Sequence, residues 1–235
     1  MVLALLPALW FAPCAVRGEG AALVLGARDD PPLFRQDGLG MVDRLLREAF
    51  ARAGVEARFV TLPSERSITE ANAGTIDGDA NRVEGVDRTY TNLVRVPEST
   101  VTWEFTVFTM EPGLHVTGWK GLAGCRVGYL VGWKIIEERL KGLEAVGVAR
   151  PRELFRLLAA GRVDAVIYQR LGGGLLLDEL GIPRSAVRAE VLERREMYVY
   201  LNRRHEALVP RLAEALRSLK QDGTRERFLA EPAGE

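Results

Sequence analysis

The chain of 235 residues has no excess of either charge, since 32 Lys plus Arg stand against 32 Asp plus Glu. That balance removes the electrostatic footprint of nucleic-acid binding. It leaves local side chains to set the charge of any ligand. Histidine and cysteine are scarce, at two each. No Cys-x-x-Cys or His-x-x-x-His spacing points to a metal. His115 and His205 lie in polar, turn-like contexts outside any Ser-His-Asp or Cys-His pattern. A Gly-rich loop followed by Lys-Ser/Thr is also missing, so nucleotide hydrolysis is not expected. No apolar run reaches the length of a membrane span. What remains is the composition of a globular protein, long enough for one large domain or two small ones.

The first 20 residues differ from the rest. Val2–Val16 is apolar, small or proline, and no charge appears before Arg17. This matches the apolar region of a secretory signal peptide, although a basic flank is missing. Segment 1–20 is therefore expected to be a leader, with a buried first strand or helix as the alternative. Pro7 and Pro13 argue against a long helix. Cys14 would leave with the leader, and Cys125 reads as a small buried hydrophobe.

The most informative feature is a module that occurs twice. An apolar strand leads to a helix ending in a Gly-then-Asp turn, and the turn feeds another strand. The first copy, 22–80, carries Gly74-Thr75-Ile76-Asp77-Gly78, and the second, 126–168, carries Gly161-Arg162-Val163-Asp164-Ala165. Both aspartates read as structural turn residues. Two similar α/β units imply two lobes, and a cleft between lobes suits a small ligand. In the first unit, Val42, Leu45, Leu46, Ala49, Phe50 and Ala53 share one helical face, and Gly54 ends the helix. Segment 79–96 is polar and aperiodic, as ligand-contacting loops are. Run 101–109 alternates as a connector into the second lobe. There, Gly172-Gly173-Gly174 is expected to break the chain before a short helix, Leu175–Leu180. Val187–Leu192 is read as that lobe's last strand, and Met197–Leu201 as a return to the first. Lobe one is thus 21–109 plus 196–235 and lobe two is 110–195. Two crossings form a hinge.

The order of these signals resembles the bacterial extracellular solute-binding proteins of family 3, the polar-amino-acid type. The residues carrying the likeness are Pro31-Pro32, Gly40-Met41-Val42-Asp43, Gly74-x-x-Asp77-Gly78, Gly121-Leu122-x-Gly124-x-Arg126-Val127-Gly128 with Gly132, Gly161-Arg162-Val163-Asp164-Ala165, and Leu216-x-x-Leu219-x-x-x-Gly223-Thr224. The resemblance implies a two-lobed α/β periplasmic-binding-protein fold of type II, each lobe a mixed sheet flanked by helices. It implies a periplasmic receptor, monomeric and free of cofactor or metal, that closes on a small polar solute. The solute would pass to separate ABC-importer membrane subunits.

In that family an arginine after the Gly-x-x-Asp strand pairs with the ligand's carboxylate, a task suited to its planar fork. Arg82 and Arg88 are the candidates here. Arg82 is preferred because it sits at the expected strand end; Arg88 better matches the family spacing. Asn81 accompanies Arg82. Arg66 is a further candidate whose plainer reading is an exposed charge paired with Glu65 or Glu70. Phe34, Trp103 and Trp133 are candidate apolar walls, with Trp133 favoured because it follows Gly132 at a strand end. Two departures stand out. Trp133-Lys134 replaces the hydroxyl residue the family places after the glycine. Gln169 stands where the family often has the acid that holds the ligand's ammonium, and glutamine offers no charge. The expected ligand is therefore a carboxylate-bearing solute, an amino acid or a related acid lacking the ammonium. Two alternatives stay open. One is a sensor of the same fold without an importer. The other is a dehydratase-type enzyme using Glu65 or Glu104 as acid or base; the main expectation is a non-enzyme.

Overall fold

In the computed structural model, which describes residues 22–230, two α/β halves share one continuous sheet. The expected leader and Cys14 lie outside the described residues. The first half opens with β1 (Leu23–Ala27), α1 (Met41–Arg52), β2 (Ala57–Thr61), α2 (Ser64–Ala73) and β3 (Gly78–Val83). β1 pairs in parallel with β2 and β3. α1 forms because its apolar residues recur every three or four positions. It buries Val42, Leu45, Leu46, Ala49 and Phe50 completely. Asp43, in its first turn, accepts from the Gly40 and Arg35 amides at 3.0 and 2.9 Å. α2 stops at Gly74, whose φ of 79° admits few side chains.

A short strand, β4 (Leu93–Arg95), precedes β5 (Thr102–Thr109). β5 carries the chain out of the first half and pairs with two later strands, with one along its length and with the other from Phe105 to Thr109. The second half continues with β6 (Val127–Leu130), α3 (Lys134–Arg139), β7 (Ala145–Val148), α4 (Pro151–Ala159), β8 (Ala165–Gln169) and α5 (Arg170–Glu179). β6 lies in parallel between β7 and β8. Its core gathers Val127, Leu154, Phe155, Val166 and Ile167, all fully buried. β9 (Arg188–Asn202) returns to the first half, where α6 (Val209–Gln221) and α7 (Thr224–Ala230) pack against α1. The two crossings run side by side: Val96 N donates to Val199 O, Thr100 N to Met197 O, and Met197 N to Val101 O, at 2.8–2.9 Å.

The repeated module has one geometry in both copies. Asp77 Oδ2 accepts from Val24 N at 2.7 Å, and Asp164 Oδ2 accepts from Arg126 N at 2.7 Å. In return, Asp77 N donates to Val24 O and Asp164 N to Arg126 O, at 2.7 and 2.9 Å. Each aspartate thereby ties the start of one strand to the turn that feeds its parallel neighbour.

Three expectations are corrected. The three glycines do not break the chain: α5 runs through them. A Cβ on Gly172 would stand 2.8 Å from Pro31 O, and one on Gly173 would stand 2.3 Å from the Phe108 ring. These glycines permit close packing inside a helix rather than a turn. The two strands expected at 187–192 and 197–201 are one 15-residue strand, β9. It pairs with β5 through Glu196, and from Met197 it pairs with β3 and β4. The polar stretch from Asp79 is not wholly loop, because β3 runs through Asn81 and Arg82 to Val83.

Candidate functional site

The cleft between the halves is lined by strand ends and helix starts. From the first half come Arg28, Asp30 and Phe34 of the β1–α1 loop, Ser64 and Ser67 of α2, and Asp79, Asn81 and Arg82 of β3. From the second come Trp103 and Phe105 of β5, and Gly132, Trp133 and Lys134 at the β6–α3 turn. They enclose a cavity of about 90 Å³. A wider groove of about 730 Å³ continues past Arg28 and Ser64 toward Tyr168 and Leu175.

Aromatic rings form one wall. Trp133 stacks on Tyr168 with centroids 5.4 Å apart and planes 11° apart. Trp103 and Phe105 lie 5.2 and 5.8 Å from the Trp133 ring. The Arg28 guanidinium sits 5.8 Å from its centroid, within cation–π range. Gly132 lets the β6–α3 turn approach the start of α2, with a φ of 86° and a Cβ position only 3.2 Å from Glu65 N.

Polar groups form the other wall. Arg82 donates to Asp79 Oδ2 at 2.7 Å and to the Ser64 carbonyl, and its side chain is 14 % exposed. Asp79 also accepts from Ser67 Oγ and the Asn81 amide. Asp30 is 1 % exposed and accepts a hydrogen bond from the Tyr168 hydroxyl across the cleft. Burial pushes the Asp30 pKa up to about 6, against the opposing pull of Tyr168 and Arg28. Burial, with Asp30 beside it, holds the Tyr168 phenol well above its usual range. Two further contacts bridge the halves. Lys134 pairs with Glu65 at 2.7 Å, which draws the Glu65 carboxyl below its usual pKa, and Arg28 donates to Ala149 O at 3.2 Å.

Four buried polar atoms of residues that line this cavity have no hydrogen-bond partner: Arg82 Nε, Trp103 Nε1, Asp30 Oδ2 and Asn81 Oδ1. Unsatisfied buried groups are rare in folded proteins, and each costs about 1–3 kcal/mol. Two are donors and two are acceptors. Among the described residues, no three His, Cys, Asp or Glu side chains gather as a metal site requires. No helix among them is long and apolar enough to cross a membrane.

No protein-family model matches the chain. Over 187 residues it is 25 % identical to an uncharacterized protein of Shewanella oneidensis, covering 77 % of this chain and 71 % of that one. A histidine kinase sensor domain with similarity to periplasmic binding proteins superposes with a TM-score of 0.77 at 20 % identity, over 93 % of this chain and 98 % of the other. An amino acid ABC transporter substrate-binding protein from Streptococcus pneumoniae, bound to L-arginine, gives 0.71 at 16 % identity, over 89 % and 92 %. The chain has the periplasmic-binding-protein fold. The cavity therefore lies in the interlobe cleft of that fold.

The residues singled out from the sequence divide sharply in this cleft. Arg82, Asn81, Phe34 and Trp133 all line the cavity. Arg88 does not: Gly85, with a φ of 92°, turns the chain into a short 3-10 segment, Val86–Arg88, and leaves Arg88 exposed. Arg66 is also exposed and pairs with Glu70 at 2.6 Å. Gln169 is buried, but its side chain caps α5 by accepting from Gly172 N. Sequence reasoning missed Asp30, Arg28 and Tyr168. Asp30 sits in the run Asp29-Asp30-Pro31-Pro32, which reads as a solvent turn. Its burial depends on the bridge to Phe34 and on the Tyr168 hydroxyl from the other half.

Proposed function

We propose that this chain is an extracytoplasmic solute-binding receptor whose two lobes close on a small carboxylate-bearing solute. The lobes are divided at the paired crossings near 96–101 and 197. Arg82 and Trp103 donate to the carboxylate through the nitrogens that lack partners. Arg82 is the anchor, and Asp79 and Ser64 hold its guanidinium in place. Phe34 and Trp133 wall the apolar side of the ligand. Arg88 and Arg66 take no part. The observation that carries this reading is the set of four unpartnered polar atoms on one interlobe cavity. In this reading the protein belongs with the family 3 solute-binding proteins, is periplasmic and monomeric, acts without cofactor or chemistry, and delivers its solute to an ABC importer. The likeness to a histidine kinase sensor domain favours a second reading, in which closure is reported to a signalling partner instead.

A thermal-shift screen against amino acids, dicarboxylates, polyamines and aromatic acids tests the receptor reading. A ligand that binds only the folded state at 100 times its Kd adds about 2.7 kcal/mol of stability. Stabilisation by a carboxylate that is lost in Arg82→Lys supports the assignment, since lysine retains the charge near Asp79 but not the fork. No shift with any carboxylate would overturn it.

A further inference from the structure

Asp30 belongs to the first lobe, yet its burial is completed by Tyr168 and α5 of the second. We infer that Asp30 and Tyr168 form a proton-dependent latch across the cleft, which holds the lobes together in acid and lets them part more often toward neutral pH. The inference rests on the receptor reading above, in which the lobes move about the paired crossings, and it adds a control on that motion.

Three observations carry it. First, one Asp30 oxygen accepts from the Tyr168 hydroxyl and the other has no donor. A buried carboxylate served by a single neutral donor is held toward its protonated form. Second, no neighbouring charge is bonded to it. Arg28 attracts the carboxylate, but its guanidinium donates to Ser64 Oγ and Ala149 O, both at 3.2 Å, and Asp29 opposes the ionised form. On the same cavity Arg82 is paired with Asp79, and Lys134 of the β6–α3 turn is paired with Glu65. α5 meets the Asp30 loop through Gly172, which carries no charge. Third, opening removes the cause. Parting the lobes takes Tyr168 and α5 away and returns Asp30 to water, where its usual pKa of 3.8 replaces the value of about 6 it has when buried. Closure therefore takes up a proton between those values. Its contribution is complete below about pH 3.8 and is lost as pH passes 6. From about pH 5 to 7.5 the closing equilibrium weakens about 10-fold. The other bridge has the opposite sign: Lys134 draws the Glu65 pKa below 4.5, so that pair fails only in stronger acid. Neither histidine bridges the lobes, since His115 pairs with Glu190 in the second and His205 with Asp77 in the first.

The test follows a thiol hidden by the closed cleft. Ala27 is buried and lines the cavity, so Ala27→Cys in a chain carrying Cys14→Ala and Cys125→Ala gives a single reporter. Ser67→Cys, on the same cavity, replaces it if that variant does not fold. The rate of labelling by a maleimide, divided by the rate for the urea-unfolded chain at the same pH, reads how often the cleft opens. The ratio should rise about 10-fold from about pH 5 to 7.5 and level off once pH passes about 6. In Asp30→Asn, which keeps an acceptor for Tyr168 and cannot titrate, it should change less than about 2-fold. A flat profile with Asp30 present would overturn the latch, and so would an unaltered rise in Asp30→Asn. The profile with Asp30 present decides alone if Asp30→Asn does not fold. Low urea separates this from the receptor reading, because parting two lobes exposes far less surface than unfolding them. A rate insensitive to urea and flat with pH would overturn the latch and leave the hinge. A rate that climbs with urea as steeply as global unfolding would mean that the lobes do not part by themselves, and would overturn both.

Discussion

Replacing Asp30 with asparagine should stabilise the ligand-free protein, and the gain should depend on pH in a calculable way. Burial raises the Asp30 pKa from 3.8 to about 6; Tyr168 and Arg28 oppose the rise, and Asp29 adds to it. At 1.36 kcal/mol per pKa unit, that difference corresponds to about 3 kcal/mol. The sign follows from proton binding. Between the two values the folded state holds a proton that the unfolded chain has released, so stability falls as pH rises. The contribution is fully present below about pH 3.8 and is lost as pH passes 6. Of the total, about 2 kcal/mol disappears between about pH 4.5 and 7.5. The amide introduced by Asp30→Asn cannot titrate, so the variant lacks this loss. Urea unfolding of both proteins across that range isolates the effect, because the other carboxylates cancel in the difference. The stability of Asp30→Asn minus that of wild type should rise by about 2 kcal/mol from acid to neutral pH. A difference that stays constant, or shrinks with pH, would refute the claim that burial outweighs Tyr168 and Arg28 at Asp30.

Other expectations are simpler. Asp77→Ala and Asp164→Ala should each cost about 1–3 kcal/mol in urea unfolding, since each leaves a strand-initiating amide without its acceptor. Asp77 should cost more, because Arg204 and His205 also lose their partner; equal costs would discount those contacts. In α5, Gly173→Ala should destabilise by about 1–3 kcal/mol against the Phe108 ring. Gly174→Ala meets only the end of the Arg184 side chain, at 3.3 Å, and should gain about 0.5–1 kcal/mol in the same melt. Lys134→Ala should change stability by less than about 1 kcal/mol, since its bridge to Glu65 is half exposed; a larger loss at high salt would contradict that.

Much of the architecture was legible from the chain because it is local. Periodicity marks α1, and the two Gly-then-Asp turns mark the parallel strand pairs. Each of those aspartates is fixed by a backbone amide that any such turn presents. The triple glycine misled because glycine has two uses, turning a chain and admitting a neighbour, and only the position of Phe108 decides between them. β9 reads as two strands because its first part is polar and half exposed while its end is buried. In the site, Arg82 and Arg88 are separated by one positive-φ glycine, a detail that spacing alone does not carry. Asp30 escaped notice for the same kind of reason. Its burial comes from Phe34, four residues on, and from Tyr168, 138 residues away.

The paired crossings have a consequence for the chain as a linear object. In the proposed division, Val101 leaves the first lobe and Met197 re-enters it one backbone hydrogen bond apart. On that division residues 102–196 form a cassette spliced into a host, with both ends at a single address. Domain insertion is tolerated where the two ends of the inserted segment lie close together. The host retains β1 to β4, the end of β9, α1, α2, α6 and α7, and a linker of a few residues spans its gap. Exchanging the cassette would set Arg82 against a different opposing wall.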